Sequence, residues 1–507
     1  MALLARPVVC VVGAGTAGLE GLLAAREQLG AKVELSLIAP EREFRYRPMR
    51  AGSLFRPSPE RGLAIADLVA QIGATWVVDR ASVVREAERS VLTRDGDVVG
   101  FDFLLLAPGA RSRRALRQGY VWERGGDPGF LDQIILDLVA GKVRSVAVAI
   151  PRGARWPLPA YELALVLAWM AMRTDARVTL ITAEPTPLGG LGRAATDMVV
   201  RELHAAGVET ISGVELLDAA QADSEPRELE GVVLMPERAA DQAAALIGKP
   251  TSPARVRLGT GSTVTFDRLI SLPTVVGPLI AGVAADAAGF VEVDAALKVC
   301  GSQRVWAAGG CVAAALEHSA LAAQQADAAI TAIAVANGAG PARPSGAPEL
   351  TGILLSGQRD QWLAENPVGT HEPSTRCLWW PPGRAVGRML AQRIAAWDPS
   401  VHEALPSQPA GLVIRAPVAL GCHDRAFVGA GTEVSAKVRT ARMHDIENRQ
   451  LRAIERRERA ADTELRALSD RLQTFAAHQQ DVTLELQQHG YLLHHDQPPT
   501  SHESGSA

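Results

Sequence analysis

Gly13, Gly15 and Gly18 carry the first chemistry legible in this chain. They follow directly on the β-branched run Pro7 to Val12 and precede Leu19 to Leu29, an alanine- and leucine-rich stretch with helical spacing. Strand, glycine turn and helix in that order suit a pyrophosphate. The first glycine lets the backbone turn tightly, the second lets it approach the phosphates, and the third lets helix pack on strand. The helix start then offers free N–H groups to the negative charge. Val33 to Ile38 supplies the next strand, at the separation a βαβ unit requires. Dinucleotide binding is the expected chemistry, and a glycine-rich helix connection is the alternative. Where an acid would bond the ribose diol at the end of that strand, the chain reads Ala39-Pro40-Glu41. The acid is displaced by two residues. Glu41 is assigned to the ribose, with a solvated surface charge as the other reading.

The same order repeats in eroded form. Val143 to Ile150 reads as a strand, Pro159 to Met172 as a helix and Ala176 to Thr182 as the next strand. The turn between the first two runs from Pro151 to Pro159 and holds one glycine, Gly153, where a dinucleotide turn has three. Arg152 and Arg155 are candidates to hold phosphates from their side chains. Glu184, after the third strand, is the candidate acid for a ribose diol and would favour NADH over NADPH. The alternative is a nucleotide fold that binds no nucleotide.

Two more segments end strands in glycine turns: "FDFLLLAPGAR" (Phe101 to Arg111) and "RVWAAGGCV" (Arg304 to Val312), the latter followed by the helical run Ser319 to Val335. With these, the chain from about Pro7 to Asp398 resembles the flavoprotein reductases with two dinucleotide domains, in the branch of the sulfide:quinone oxidoreductases and type II NADH dehydrogenases. The resemblance implies an α/β fold with two Rossmann-like domains, the FAD domain being split around the nucleotide-fold insertion. It implies FAD as cofactor and NAD(H) as the second candidate. Gly109 corresponds to the family's A-T-G strand end, and Gly309 and Gly310 to its A-x-G-D motif. "FRYRPM" (Phe44 to Met49), with Arg47 and Pro48, resembles the loop beside the flavin. Gln324, in the Leu321 to Gln325 stretch, is placed near the helix start that faces the flavin, and "CLWWPPGRAVG" (Cys377 to Gly387) resembles the C-terminal segment. Glu162 occupies the place of a family glutamate near the flavin, where a buried carboxyl can relay protons; an acid favoured by a helix N-terminus is the alternative.

The departures are Pro108 where the family often has Thr, and Gly310 where it has the Asp that holds the ribityl chain. Losing that acceptor removes a charge-assisted hydrogen bond of about 1.5–3 kcal/mol and weakens flavin binding. The implied activity passes electrons from NADH or a reduced sulfur donor through flavin to a quinone-like acceptor. The competing expectation is a flavoprotein-fold scaffold without turnover that assembles partners.

The elements that position these residues need several cores, which 507 residues with 47% hydrophobic content can supply. The expected divisions are a first FAD segment (1–115), a degenerate NAD(P)-type domain (116–284), a second FAD segment (285–340), an interface domain (350–432), a helical segment (433–490) and a disordered tail (491–507). In the helical segment Ala461, Leu465, Leu468, Leu472, Phe475, Gln479, Val482 and Leu486 form a heptad seam, read as a coiled coil for homo-oligomerisation. Fifty-two basic and 56 acidic side chains, for a net charge of −4, give no reason to expect nucleic acid. Five cysteines without C-x-x-C suggest neither a disulfide framework nor a thiolate metal site, and the histidines form no metal pattern. The chain reads as cytoplasmic, at most peripheral on the inner face of a membrane, with small-molecule electron donors and acceptors, a quinone among them, as partners.

Overall fold

The computed structural model describes residues 6–45, 62–122, 128–172, 174–218, 253–314, 316–339, 349–355, 387–395 and 411–417. The chain divides into two compact units, Met1–Ser435 and Ala436–Ala507, and every described residue belongs to the first. Arg47, Pro48, the segment Cys377 to Val386, the heptad seam and the tail lie outside the described residues.

Four strands before residue 107 build one parallel sheet: β1 (Val8–Val12), β2 (Glu34–Ile38), β3 (Ala74–Val77) and β4 (Phe103–Leu106). The chain then leaves and lays down a second parallel sheet from β5 (Tyr120–Val121), β6 (Ser145–Ile150), β7 (Arg177–Thr182), β8 (Glu209–Ile211) and β9 (Arg268–Ser271), in the order β5-β9-β6-β7-β8. It returns to the first sheet with β10 (Val305–Ala307), which pairs with β4 and completes the order β10-β4-β1-β2-β3. The first sheet therefore takes strands from both sides of the second.

Strands buried on both faces explain the uninterrupted apolar runs: β4 and β10 are buried throughout, and β1 and β2 at four of five positions. Helix α1 (Thr16–Leu29) crosses from β1 to β2 and packs beside the later helix α2 (Ser319–Ala336), with Gly21 against Leu105 of β4 and near Ala326. Small residues on both helices permit that close approach. In the second sheet the helix Leu158–Ala171 crosses from β6 to β7, burying Leu163, Ala164 and Leu167 in its own core.

A C-terminal piece is tied to the first sheet by a buried acid. Glu20, on α1 and only 1% exposed, accepts hydrogen bonds from the amides of Met389 (2.8 Å) and Leu390 (2.7 Å), at the start of the short helix Leu390–Ala395. Burial pushes the Glu20 carboxyl above its ordinary pKa, and these amide donors oppose that shift. Alongside, Arg388 bridges Glu27 (2.7 Å) and Asp327 (2.8 Å), which joins α1, α2 and the C-terminal piece. Among the described residues no helix is long and apolar enough to cross a membrane.

Candidate functional site

The turn between β1 and α1 is built for close backbone approach. Gly13 has φ +98°, and a β-carbon there would overlap the Ala107 carbonyl at the end of β4. A β-carbon on Gly18 would overlap the Gly13 carbonyl, so this residue fixes the helix against its own turn. Gly15 differs, because nothing lies within 4 Å of the β-carbon it lacks. Space is left beside the backbone at the one glycine assigned to phosphate approach. No side chain caps α1, no acid lies in its first turn, and its first helical bond runs from Leu19 N to Gly15 O (3.0 Å). The amides before Leu19 thus have no intrahelical acceptor, and they fit an anion.

The ends of the neighbouring strands form the rest of this crevice, since parallel α/β sheets bind ligands at the carboxyl ends of their strands. Gly109, after β4, has φ +73° and open space where a β-carbon would lie. Gly309, after β10, has φ +80°, with Ala17 of α1 and Ala322 of α2 against it. Its amide donates to Gln325 Oε1 (2.7 Å), a side chain buried on α2. Gln324, the candidate from the sequence, stands one position earlier and is exposed; the neighbouring glutamine makes the contact with the strand-end turn. On the other side, Ala39 at the end of β2 is buried and its carbonyl accepts from Trp76 Nε1 (3.0 Å), whereas Glu41 is exposed just beyond. Gly310 also opens toward an acid: Glu317 Oε1 lies 3.0 Å and Ala110 N 3.2 Å from where its β-carbon would be.

The eroded turn of the second sheet reaches over to this crevice. Arg155 donates from Nη2 to the Val312 carbonyl (2.9 Å), and its guanidinium lies 4.1 Å from the centre of the Phe290 ring. Its own carbonyl accepts from Glu317 N (3.0 Å). Next to it Trp156 packs its ring 4.7 Å from His318, whose Nδ1 caps α2 by accepting from Ala320 N (3.1 Å). Burial lowers the Arg155 pKa, against the pull of Glu317 and Asp286. Its Nη1 is buried with no hydrogen-bond partner among the described residues. Arg152, by contrast, is exposed and pairs with Glu215 (3.5 Å).

At the second turn itself, donors are scarce. Pro157 and Pro159 have no N–H, and the Ala160 amide is already bonded to the Pro157 carbonyl (3.0 Å). Glu184, after β7, has its carboxylate engaged: Tyr161 donates its hydroxyl to Oε2 at 2.6 Å, and Thr182 donates to the same oxygen at 3.3 Å. Burial raises the pKa of Glu184 and, with the adjacent carboxylate, that of Tyr161. The Tyr161 oxygen also accepts from Leu188 N (3.3 Å), which holds a buried leucine at φ +54°. Glu162, the next residue along, is 7% exposed and lies beyond the first helical turn, which contains no acid. A helix-terminus role therefore does not account for its burial.

Two cysteines sit at the crevice strands without thiolate character. Cys10 in β1 and Cys311 after β10 are both fully buried, and burial pushes each thiol up to about 12. Cys311 Sγ faces the carbonyls of Ala308 (3.2 Å) and Leu106 (3.4 Å). Cys300 is disulfide-bonded, which corrects the expectation of no disulfide: connectivity is not readable from cysteine spacing. Among the described residues no cluster of histidine, cysteine or carboxylate could hold a metal.

Residues 162–330 match the pyridine nucleotide-disulphide oxidoreductase family model. Over 105 residues the chain is 29% identical to the mitochondrial sulfide:quinone oxidoreductase of Dictyostelium discoideum, covering 20% of this chain and 23% of that relative's length. Its fold is similar to that of the sulfide:quinone oxidoreductase from the hyperthermophilic bacterium Aquifex aeolicus, with a TM-score of 0.52 and 18% identity over 69% of this chain and 80% of the other. One parallel sheet interrupted by a second, a glycine turn with open space beside it and the matched segment make the chain similar to the pyridine nucleotide-disulphide oxidoreductases, and among them to the sulfide:quinone oxidoreductases.

Proposed function

We propose that this chain is an FAD-dependent oxidoreductase that passes an electron pair from a reduced sulfur donor or NADH to a quinone-like acceptor. The observation that carries the reading is the first turn, where two glycines are sterically obligatory for the fold and the third, Gly15, opens onto empty space beside uncapped helix amides. Bound flavin would supply the two-electron redox chemistry, and the protein's part is binding, orientation and electrostatics. The α1 amides and Gly15 would take the pyrophosphate, and Glu41 the adenosine ribose. Gly109 and Gly309, with Gln325 fixing the latter, would line the inner end of the crevice. Arg47 and Pro48 are retained from the family resemblance for the loop beside the flavin, and Gln324 for the start of α2.

Glu162, buried on the helix that follows the loop carrying Arg155, is proposed to move a proton during turnover. The sulfur donor is favoured over NADH by the second turn, whose prolines remove phosphate donors and whose ribose acid is bonded to Tyr161. Cys10 and Cys311 are too buried to serve as the thiols of such chemistry, so a sulfur donor would meet the flavin directly or through another cysteine. The boundaries 1–115, 116–284, 285–340 and 350–432, self-association through 433–490 and a peripheral position on the inner face of a membrane complete the proposal.

The test is a visible absorption spectrum of the purified full chain, before and after gel filtration with added FAD. Flavin bands that stay with the protein, and that bleach on anaerobic addition of sulfide or NADH and return with a soluble quinone, are the expected outcome. A protein that takes up no FAD overturns the reading.

A further inference from the structure

The crevice described above lacks an acid at position 310, yet a carboxylate stands there. Glu317 comes from the segment before α2, and its Oε1 is 3.0 Å from the place a β-carbon on Gly310 would occupy. Ala110 N, after β4, is 3.2 Å from the same point. The carboxylate thus projects between the carboxyl ends of the two adjacent strands β4 and β10, where ligands of parallel sheets bind. A β-carbon at 310 would crowd this carboxylate, which would have to give by a few tenths of an ångström, so glycine at 310 leaves Glu317 its place.

Its placement is organised from the second sheet. The Glu317 amide is bonded to the Arg155 carbonyl (3.0 Å), and Arg155 is fixed by the Val312 carbonyl (2.9 Å) and the Phe290 face (4.1 Å). The guanidinium attracts the carboxylates of Glu317 and Asp286. Arg155 Nη1, buried and without a hydrogen-bond partner among the described residues, is an independent sign that the assembly is completed by an acceptor outside them. The loop that lost its own phosphate glycines is committed to this contact.

We propose that Glu317, positioned by Arg155, is the acid of the flavin crevice: its carboxylate accepts a hydrogen bond from a hydroxyl of the bound cofactor's polyol chain, in the place left by Gly310. The proposal rests on the FAD reading above. It makes cofactor binding depend on a residue pair that joins the two sheets, which an acid at 310 would not require.

Dissociation constants for FAD, from the quenching of its fluorescence as it binds the full-length apoprotein, test this without reference to turnover. Glu317→Gln is expected to weaken FAD by about 10-fold or more, the scale of one charge-assisted hydrogen bond. Gly310→Asp alone is expected to weaken it as well, because the new carboxylate crowds and repels that of Glu317. The double variant Gly310→Asp/Glu317→Ala should bind more tightly than either single variant, since the acid is moved and not lost. Thermal melts of each variant identify misfolding, and recovery in the double variant cannot come from a damaged fold. Wild-type affinity in Glu317→Gln, or a double variant weaker than both singles, overturns the inference while the FAD reading stands. Wild-type protein that binds no FAD overturns both.

Discussion

The two strand-to-helix turns that follow β1 and β6 share one topology and have opposite contents. Each lies between a buried parallel strand and a helix that crosses to the next strand. In the first, Gly13 and Gly18 let backbone touch backbone, Gly15 leaves open space, and the helix start is uncapped. In the second, Pro157 and Pro159 have replaced amide donors, and the acid at the following strand end is held by Tyr161. The eroded loop has not become idle, since Arg155 and Trp156 now brace the start of α2 beside the first site. The two turns can differ this much on one sheet topology because the sheet depends on apolar burial, whereas the turn's chemistry depends on a few donors.

The largest effect expected is at the obligatory glycines. Gly18→Ala places a β-carbon on the Gly13 carbonyl, so the first turn cannot form; loss of FAD binding together with a lower melting temperature is expected, read by absorbance and a thermal melt. In the second turn Gly153→Ala meets only Thr274 at 3.6 Å and bears just the cost of φ +93°, about 1–2 kcal/mol, with FAD binding intact. Equal effects of the two variants would end the contrast between the turns.

Gly15→Ala sharpens the contrast, because it separates folding from binding. With nothing within 4 Å of the added carbon, the melting temperature should hold while FAD affinity falls, as measured by titration.

Next in size is Tyr161→Phe, which removes the hydroxyl held 2.6 Å from Glu184 and leaves a half-buried carboxylate short of a donor. A loss of about 1.5–3 kcal/mol in denaturant unfolding is expected. If the second site retains any affinity for NADH, freeing Glu184 should raise it; an unchanged or absent signal in calorimetry confines pyridine nucleotide to another surface.

Glu20 gives a pH signature at the first site. Its folded pKa is raised by burial, so the folded chain holds the proton more tightly than the unfolded one. Its contribution to stability is therefore greatest below the unfolded value, about 4.3, and is lost as pH rises through the folded value. Glu20→Gln should flatten that part of the stability profile and loosen the Met389–Leu390 attachment, visible as faster proteolysis near residue 390.

Asp267 supplies the smallest effect, of opposite sign. The amides of Arg144 (2.8 Å) and Ser145 (3.0 Å) lower its pKa, so its stabilisation is present above the unfolded value, about 3.9, and is lost as pH falls through the folded value. Asp267→Asn should remove that acid-side slope without touching FAD affinity.

Much of the architecture was legible from short-range pattern. The β-branched runs at Val8–Val12 and Ser145–Ile150, each followed by a helical period, announced both βαβ orders. The glycine spacing announced the first turn, and the missing glycines announced the erosion of the second. The helix before β7 begins at Leu158, one residue before its expected start, since proline is well suited to a first turn. Legibility failed where a contact joins distant segments. The bond of Gln325 to Gly309 was not foreseen, because one residue is about 100° of helix phase and an alanine-rich helix shows little phase in its sequence. The bonds of Glu20 to Met389 and Leu390 cross 369 and 370 positions, and no periodicity encodes them.

Local stereochemistry is therefore written in short stretches of the chain: which segments extend, which coil, and where only glycine permits a turn, because these follow from sterics and burial pattern within a few residues. The partnerships of the polar groups arise on folding. Tyr161 takes the carboxylate of Glu184, Arg155 leaves its own turn for Val312, and Glu317 comes to stand beside Gly310. Those choices belong to the packed chain, because a buried donor or acceptor must find its partner wherever the fold brings one near.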